Sequence, residues 1–110
     1  MDEARLWKNC PRCQSRQGVD VFLEHIQWAV SAAVKLRPEV RVLIWDDMFR
    51  YWPLERLFGA AQVWQQAQPV VWAYSRDVII EIPARTWLGY QRTMPNLWIA
   101  SAYMVCCTVD

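Results

Sequence analysis

Residues 40–46, VRVLIWD, carry the clearest signal for the class of fold. The segment is short and rich in branched aliphatic residues, and before its final aspartate only Arg41 is polar. A strand covered by helices on both faces has this continuous apolar pattern, whereas a strand with one solvated face alternates apolar and polar residues. Residues 40–46 therefore predict a buried strand.

Two segments of the same kind and three helical segments surround this strand. Pro38 and Pro95 end helices, Pro83 starts one, and Asp20 is the expected N-cap of the first helix. Successive strands begin 27 to 29 residues apart, close to the length of a βα unit. This alternation predicts an α/β fold with a parallel sheet. The other strands are residues 69–75 (PVVWAYS) and 96–102 (NLWIASA), and the helices are residues 20–37, 54–66 and 84–92.

Composition excludes several classes of function. The chain has 110 residues, of which 55% are hydrophobic and 21% charged, so it is one globular domain or part of one. A net charge of +1 without basic clusters argues against binding nucleic acid or a membrane surface. The charged N-terminus is not a secretory signal, and no apolar run reaches the roughly 20 residues of a membrane span. We therefore expect a cytoplasmic or nucleocytoplasmic protein with reduced thiols.

Aromatic and acidic side chains gather where the three strands end. Ligands of parallel α/β folds bind at the carboxyl ends of strands, so these positions predict a binding site. Two plainer interpretations remain open, because tryptophan commonly packs in cores and an Asp-Asp pair can cap a helix. The candidate binding residues are Trp45, Asp46, Asp47, Trp72, Tyr74 and Trp98.

Asp2 and Glu3 form an adjacent pair of carboxylates at the start of the chain. One acid beside aromatic rings can protonate a leaving oxygen in glycoside hydrolysis, while the rings stack on the sugar. Taken by itself, the pair is better interpreted as an ordinary solvated terminus.

Four segments resemble hexosaminidase D-like members of the family 20 glycoside hydrolases. They are residues 43–48 (LIWDDM), 70–74 (VVWAY), 97–102 (LWIASA) and 1–4 (MDEA), the last being similar to the end of a His-x-Gly-x-Asp-Glu motif. The resemblance runs in the family's order from Asp2 to about Tyr103. It implies a partial (β/α)8 TIM barrel, with Asp2 and Glu3 ending strand four and the predicted strands being five to seven. Because such barrels need about 250 residues, residues 1–110 are expected to be a partial catalytic domain, truncated at both ends.

The resemblance also implies a mechanism that needs no cofactor and no metal. The family is similar to the substrate-assisted retaining glycosidases, in which the acetamido oxygen of a terminal N-acetylhexosamine (GalNAc or GlcNAc) attacks the anomeric carbon. Glu3 would be the acid and then the base, Asp2 would accept the acetamido N–H, and Tyr74 would donate to the acetamido oxygen. Trp45, Trp72 and Trp98 would form the pocket walls, and Asp46 or Asp47 would bind a sugar hydroxyl.

Cys10 and Cys13 allow a second hypothesis, a small zinc- or redox-active module. A zinc ribbon needs a second cysteine pair, and the adjacent Cys106 and Cys107 are poorly arranged for that role. A redox motif of the thioredoxin type should open a helix, whereas Gly18 and Asp20 place the helix later. A loop with two free thiols is the favoured interpretation.

The third hypothesis is a non-catalytic α/β piece that acts by association. Part of a barrel leaves open strand edges and an uncovered inner face. We therefore expect the isolated chain to be inactive and to self-associate through these edges.

Overall fold

The computed structural model describes residues 9–101. The chain forms two compact units, Met1–Val42 and Leu43–Asp110. The predicted catalytic pair, Asp2 and Glu3, lies outside the described residues, as do Cys106 and Cys107.

Within residues 9–42, the first unit contains one long helix, α1 (Gly18–Leu36), preceded by a turn at residues 10–16. The prediction that Asp20 is the N-cap is wrong: Gln17 holds that position, and its carbonyl oxygen accepts from the N–H groups of Asp20 and Val21 at 3.1 and 3.2 Å. Asp20 lies instead in the first turn, where its negative charge suits the free N–H groups. The helix ends before Pro38, as predicted.

The second unit is built on a three-stranded sheet with the order β1 (Val42–Trp45), β2 (Ala67–Trp72) and β3 (Trp98–Ala100). Strands β2 and β3 pair in parallel, with Val70 opposite Trp98 and Trp72 opposite Ala100. All three predicted strands are therefore present, although β1 and β3 are shorter than expected. The prediction that the first of these strands is buried is wrong: no residue of β1 is buried, and Leu43 and Trp45 are 49% and 53% exposed. The α/β class is confirmed, and a small sheet of this kind is compatible with part of a TIM barrel.

Four helices connect the strands of the second unit. Residues 54–66 form two short helices, α2 (Leu54–Gly59) and α3 (Ala61–Gln66), instead of the single predicted helix. The break falls at Ala60, directly after a glycine that lowers helix propensity by about 1 kcal/mol relative to alanine. Helix α4 (Val78–Glu81) was not predicted, whereas α5 (Ala84–Thr93) matches the prediction within one residue.

Aromatic packing forms the core of the second unit. Phe49, which follows β1, is fully buried and contacts Trp64 of α3 at a ring-centroid distance of 4.6 Å and Tyr90 of α5 at 6.1 Å. The indole N–H of Trp64 donates to the carbonyl oxygen of Leu57 at 2.9 Å, so the buried N–H has a hydrogen-bond partner. The core thereby ties α3 and α5 to the segment that leaves β1. Among the described helices, none combines the length and apolarity needed to cross a membrane.

Candidate functional site

Four of the six predicted strand-end residues line one open cavity of about 290 Å³. Trp45 and Trp72 are the last residues of β1 and β2, and Asp47 and Tyr74 each follow two residues later. The parallel strands bring their carboxyl ends to the same edge of the sheet, which is why residues distant in sequence meet there. The volume lies near the lower end of the range for ligand sites, about 300–1,000 Å³.

The cavity presents aromatic faces and one carboxylate to solvent. The rings of Trp72 and Tyr74 lie 5.0 Å apart, tilted by 45°. Trp45 and Tyr74 are 53% and 51% exposed, although tryptophan and tyrosine are costly to leave in water. Asp47 is exposed as well. Amphipathic faces held at a strand end in this way suit a ligand with both apolar and polar surfaces.

Asp46 lies in the protein interior, in contrast to its neighbour Asp47. It is fully buried, and both carboxylate oxygens have protein partners. Arg50 donates from Nη2 to Oδ1 at 2.6 Å and from Nε to Oδ2 at 2.9 Å, while the hydroxyl of Tyr90 donates to Oδ2 at 2.9 Å. The structure thus gives Asp46 protein partners at both oxygens, and its predicted contact with a sugar stays a prediction.

Arg50 links this buried carboxylate to the cavity. Its Nη2 also donates to the carbonyl oxygen of Trp72 at 2.7 Å, and its guanidinium carbon lies 5.1 Å from the centre of the Trp72 ring. The hydrogen bond with Asp46 raises the pKa of Arg50, and burial raises the pKa of Tyr90. Neither Arg50 nor Tyr90 was predicted from the sequence. The four-residue spacing between Asp46 and Arg50 was a weak signal for the pair.

A hydrogen-bonded loop follows Tyr74. The backbone N–H of Ser75 donates to the Glu81 carboxylate at 3.0 Å, and bonds from Ser75 lower the pKa of Glu81. The Asp77 carboxylate caps α4 by accepting from the N–H groups of Ile79 and Ile80 at 3.1 and 3.3 Å. These bonds fix the path of the chain directly after the tyrosine of the cavity.

Trp98 is not part of the cavity wall. It lies at the start of β3, opposite Val70 and therefore two residues before the level of Trp72. Its indole N–H donates to Gln68 Oε1 at 2.7 Å. The predicted sugar contact of Trp98 thus finds no support in its position.

A larger cavity of about 470 Å³ lies between α2 and α5. Its lining includes Leu54, Leu57 and Leu88, with Arg85 and Arg92 beside them. It contains none of the predicted strand-end residues, although Arg50, Tyr51 and Trp52 of the segment that follows β1 also line it. We therefore place the candidate site at the smaller cavity, despite the difference in volume.

The described residues of the first unit include two cysteines. Cys10 and Cys13 are free thiols, and within residues 9–101 no group of three histidine, cysteine or acidic side chains could hold a metal ion.

Comparison with known proteins connects the chain with one name. It is 37% identical over 82 residues to Hexosaminidase D of Homo sapiens and 35% identical over 83 residues to Hexosaminidase D of Bos taurus. Each alignment covers 74% of this chain but only 17% and 23% of the relatives. The chain is thus hexosaminidase D-like over most of its length and spans about a fifth of the curated relatives it matches. No protein-family model matches the chain. No match was found among solved structures.

Proposed function

We propose that the second unit forms the sugar-binding wall of a β-N-acetylhexosaminidase of glycoside hydrolase family 20. The observation that carries this proposal is the cavity of Trp45, Asp47, Trp72 and Tyr74 at the strand ends of a hexosaminidase D-like chain. The substrate would be a glycan or glycoconjugate that ends in N-acetylgalactosamine or N-acetylglucosamine.

The chemistry of the cavity suits such a sugar. A pyranose has apolar faces of C–H groups and a rim of hydroxyls, so it packs on indole rings while its hydroxyls bond to polar side chains. Trp45 and Trp72 supply the faces, and Asp47 is an acceptor for a hydroxyl proton. The Tyr74 hydroxyl is the donor proposed for the acetamido oxygen, the atom that becomes the nucleophile in substrate-assisted retention.

Arg50 is proposed as a positioning residue for this wall. It bonds to the Trp72 carbonyl and lies against the same indole ring. Since its guanidinium is itself held by buried Asp46, the Trp72 ring has a fixed support behind it. A wall fixed before the sugar arrives loses less conformational entropy on binding.

Asp2 and Glu3 complete the proposed mechanism. Glu3 would protonate the leaving oxygen and later deprotonate the attacking water, while Asp2 would accept the acetamido N–H and stabilise the positive charge of the oxazolinium intermediate. This pair comes from the family resemblance.

Ligand binding tests the proposed wall without requiring turnover. Saturation-transfer NMR with N-acetylglucosamine, N-acetylgalactosamine and glucose should give transfer to the ring protons of the two acetamido sugars. Trp72→Ala should abolish the transfer, and Asp47→Asn should weaken it. Trp28→Ala is the matched control, because Trp28 is a 68% exposed indole on α1 and does not line the cavity.

Hydrolysis of the 4-nitrophenyl glycosides of both acetamido sugars tests the catalytic pair. If the chain turns over either substrate, Glu3→Gln should remove the activity; activity that survives this change rules out Glu3 as the acid. Circular dichroism should first show that the parent chain, Trp72→Ala and Asp47→Asn are folded alike. If all three then bind the acetamido sugars equally well, the cavity is ruled out as the sugar-binding site.

A further inference from the structure

The two cysteines of the first unit flank a tight turn. The N–H groups of Cys13 and Gln14 donate to the carbonyl oxygen of Cys10 at 3.0 and 2.9 Å. The chain therefore turns back directly after Cys10, which places the two cysteines at either side of one turn. Both thiols are free and only half-buried, so small molecules can reach them.

The turn gives the two sulfurs different surroundings. The pKa of Cys10 is lowered chiefly by the nearby backbone N–H of Arg12, and then by the thiol and N–H of Cys13 and the charge of Arg12. The neighbouring Cys10 thiol and burial raise the pKa of Cys13; the charge of Arg16 opposes this effect and that of Glu24 reinforces it. Arg16 is itself paired with Glu24, so its charge is partly neutralised. Cys10 therefore has the larger thiolate fraction of the two thiols at neutral pH.

We propose that Cys10 and Cys13 form a thiol–disulfide exchange site, with Cys10 as the attacking thiol and a low-molecular-weight disulfide such as oxidised glutathione as the co-reactant. Such a site needs an accessible thiolate and a second thiol within reach to resolve the mixed disulfide, and the turn supplies both. Since all of these groups lie in the first unit, the proposal does not depend on the sugar-binding cavity.

The exchange balances in two steps. The Cys10 thiolate attacks one sulfur of the disulfide, a bond forms between them, and one small thiolate leaves and takes up a proton. Cys13 then loses its proton and attacks the Cys10 sulfur, which expels the second small thiolate. Cys10 and Cys13 are together oxidised by two electrons, and the small disulfide is reduced to two thiols.

Mass spectrometry tests the exchange on the full chain with Cys106 and Cys107 both changed to serine, so that only the two cysteines of the turn react. Treatment with oxidised glutathione should give a chain that has lost two hydrogen atoms, with the bond mapped to Cys10 and Cys13. In Cys13→Ser the reaction should stop at a stable glutathione adduct on Cys10. In Cys10→Ser, adduct formation on Cys13 should be several-fold slower.

Alkylation by iodoacetamide provides a readout that depends on the turn. Cys10 in the Cys13→Ser chain should react several-fold faster than Cys13 in the Cys10→Ser chain at neutral pH, and the difference should vanish in concentrated urea. A parent chain that accumulates only mixed disulfides would overturn the proposal. So would equal alkylation of the two cysteines in the folded chain.

Discussion

The Arg50 guanidinium carbon lies 5.1 Å from the centre of the Trp72 ring, and the same side chain donates to the Trp72 carbonyl oxygen at 2.7 Å. One arginine thus contacts both the backbone and the side chain of a residue at the end of β2. Because Arg50 is 5% exposed and Asp46 is fully buried, their ion pair lies in the interior, directly behind the cavity. The stability of the unit and the shape of the cavity therefore depend on the same three residues.

Removing Arg50 should destabilise the second unit strongly. Arg50→Leu leaves the Asp46 carboxylate buried without its cation, and we expect the free energy of unfolding to fall by about 3–5 kcal/mol. Urea denaturation measures this loss, with Arg85→Leu as a control because Arg85 is exposed on α5. The double variant Asp46→Leu/Arg50→Leu should recover much of the stability, since an apolar pair can replace a buried ion pair. A double variant as unstable as the sum of the single ones would contradict this expectation.

Tyr90 should make the stability sensitive to alkaline pH. Burial raises its pKa above the ordinary value of about 10, so the unfolded chain loses the phenolic proton first. This contribution to stability is complete below about pH 10 and is lost as the pH rises toward the folded pKa. Tyr90→Phe should lower the free energy of unfolding by about 1–3 kcal/mol near neutral pH, because it removes a hydrogen bond to buried Asp46. The same variant should lose less stability than the parent chain as the pH rises above about 10. Unfolding measured from about pH 8 to 11 checks this, with half-exposed Tyr74→Phe as the control. An unchanged alkaline slope in Tyr90→Phe would be inconsistent with the buried position.

The adjacent aspartates should separate binding from folding. Asp47 is exposed at the cavity, so Asp47→Asn should weaken sugar binding several-fold and change the unfolding free energy by less than about 0.5 kcal/mol. Asp46→Asn should instead lower stability by about 3 kcal/mol or more, because it leaves Arg50 buried with a neutral partner. Parallel titrations with sugar and with urea distinguish the two. If Asp47→Asn unfolds the chain as readily as Asp46→Asn, the division of roles is wrong.

Self-association through the sheet edge is a further testable prediction. Ile99 of β3 is 71% exposed, and among the described strands β3 has no neighbour beyond β2. Such an edge can pair with a second copy, and a lysine there should prevent it. Sedimentation should show a weight-average mass that rises with concentration for the parent chain and falls toward the monomer for Ile99→Lys. Ile79→Lys, at an equally exposed position on α4, should leave the association unchanged. A parent chain that is monomeric at every concentration would refute the prediction.

Much of the fold was predictable because its signals are local. The apolar run at residues 42–45 and the prolines at positions 38 and 83 act within a few residues, so the strands and two of the helix boundaries could be located without tertiary information. The break at Ala60 and helix α4 were missed. Their signals are local but weak: a single glycine precedes the break, and Asp77 caps a helix of only four residues.

By itself, the sequence determined the α/β class and the gathering of Trp45, Asp47, Trp72 and Tyr74, since the carboxyl ends of parallel strands necessarily share one edge of the sheet. Only the tertiary structure decided which member of the Asp46-Asp47 pair faces the protein and which faces the cavity. The buried position of Asp46 requires a cation and a hydroxyl donor, and Tyr90, the donor, lies 44 residues further along the chain. A partner at that distance leaves no local pattern, because it is brought into place only when α5 packs against the segment that follows β1.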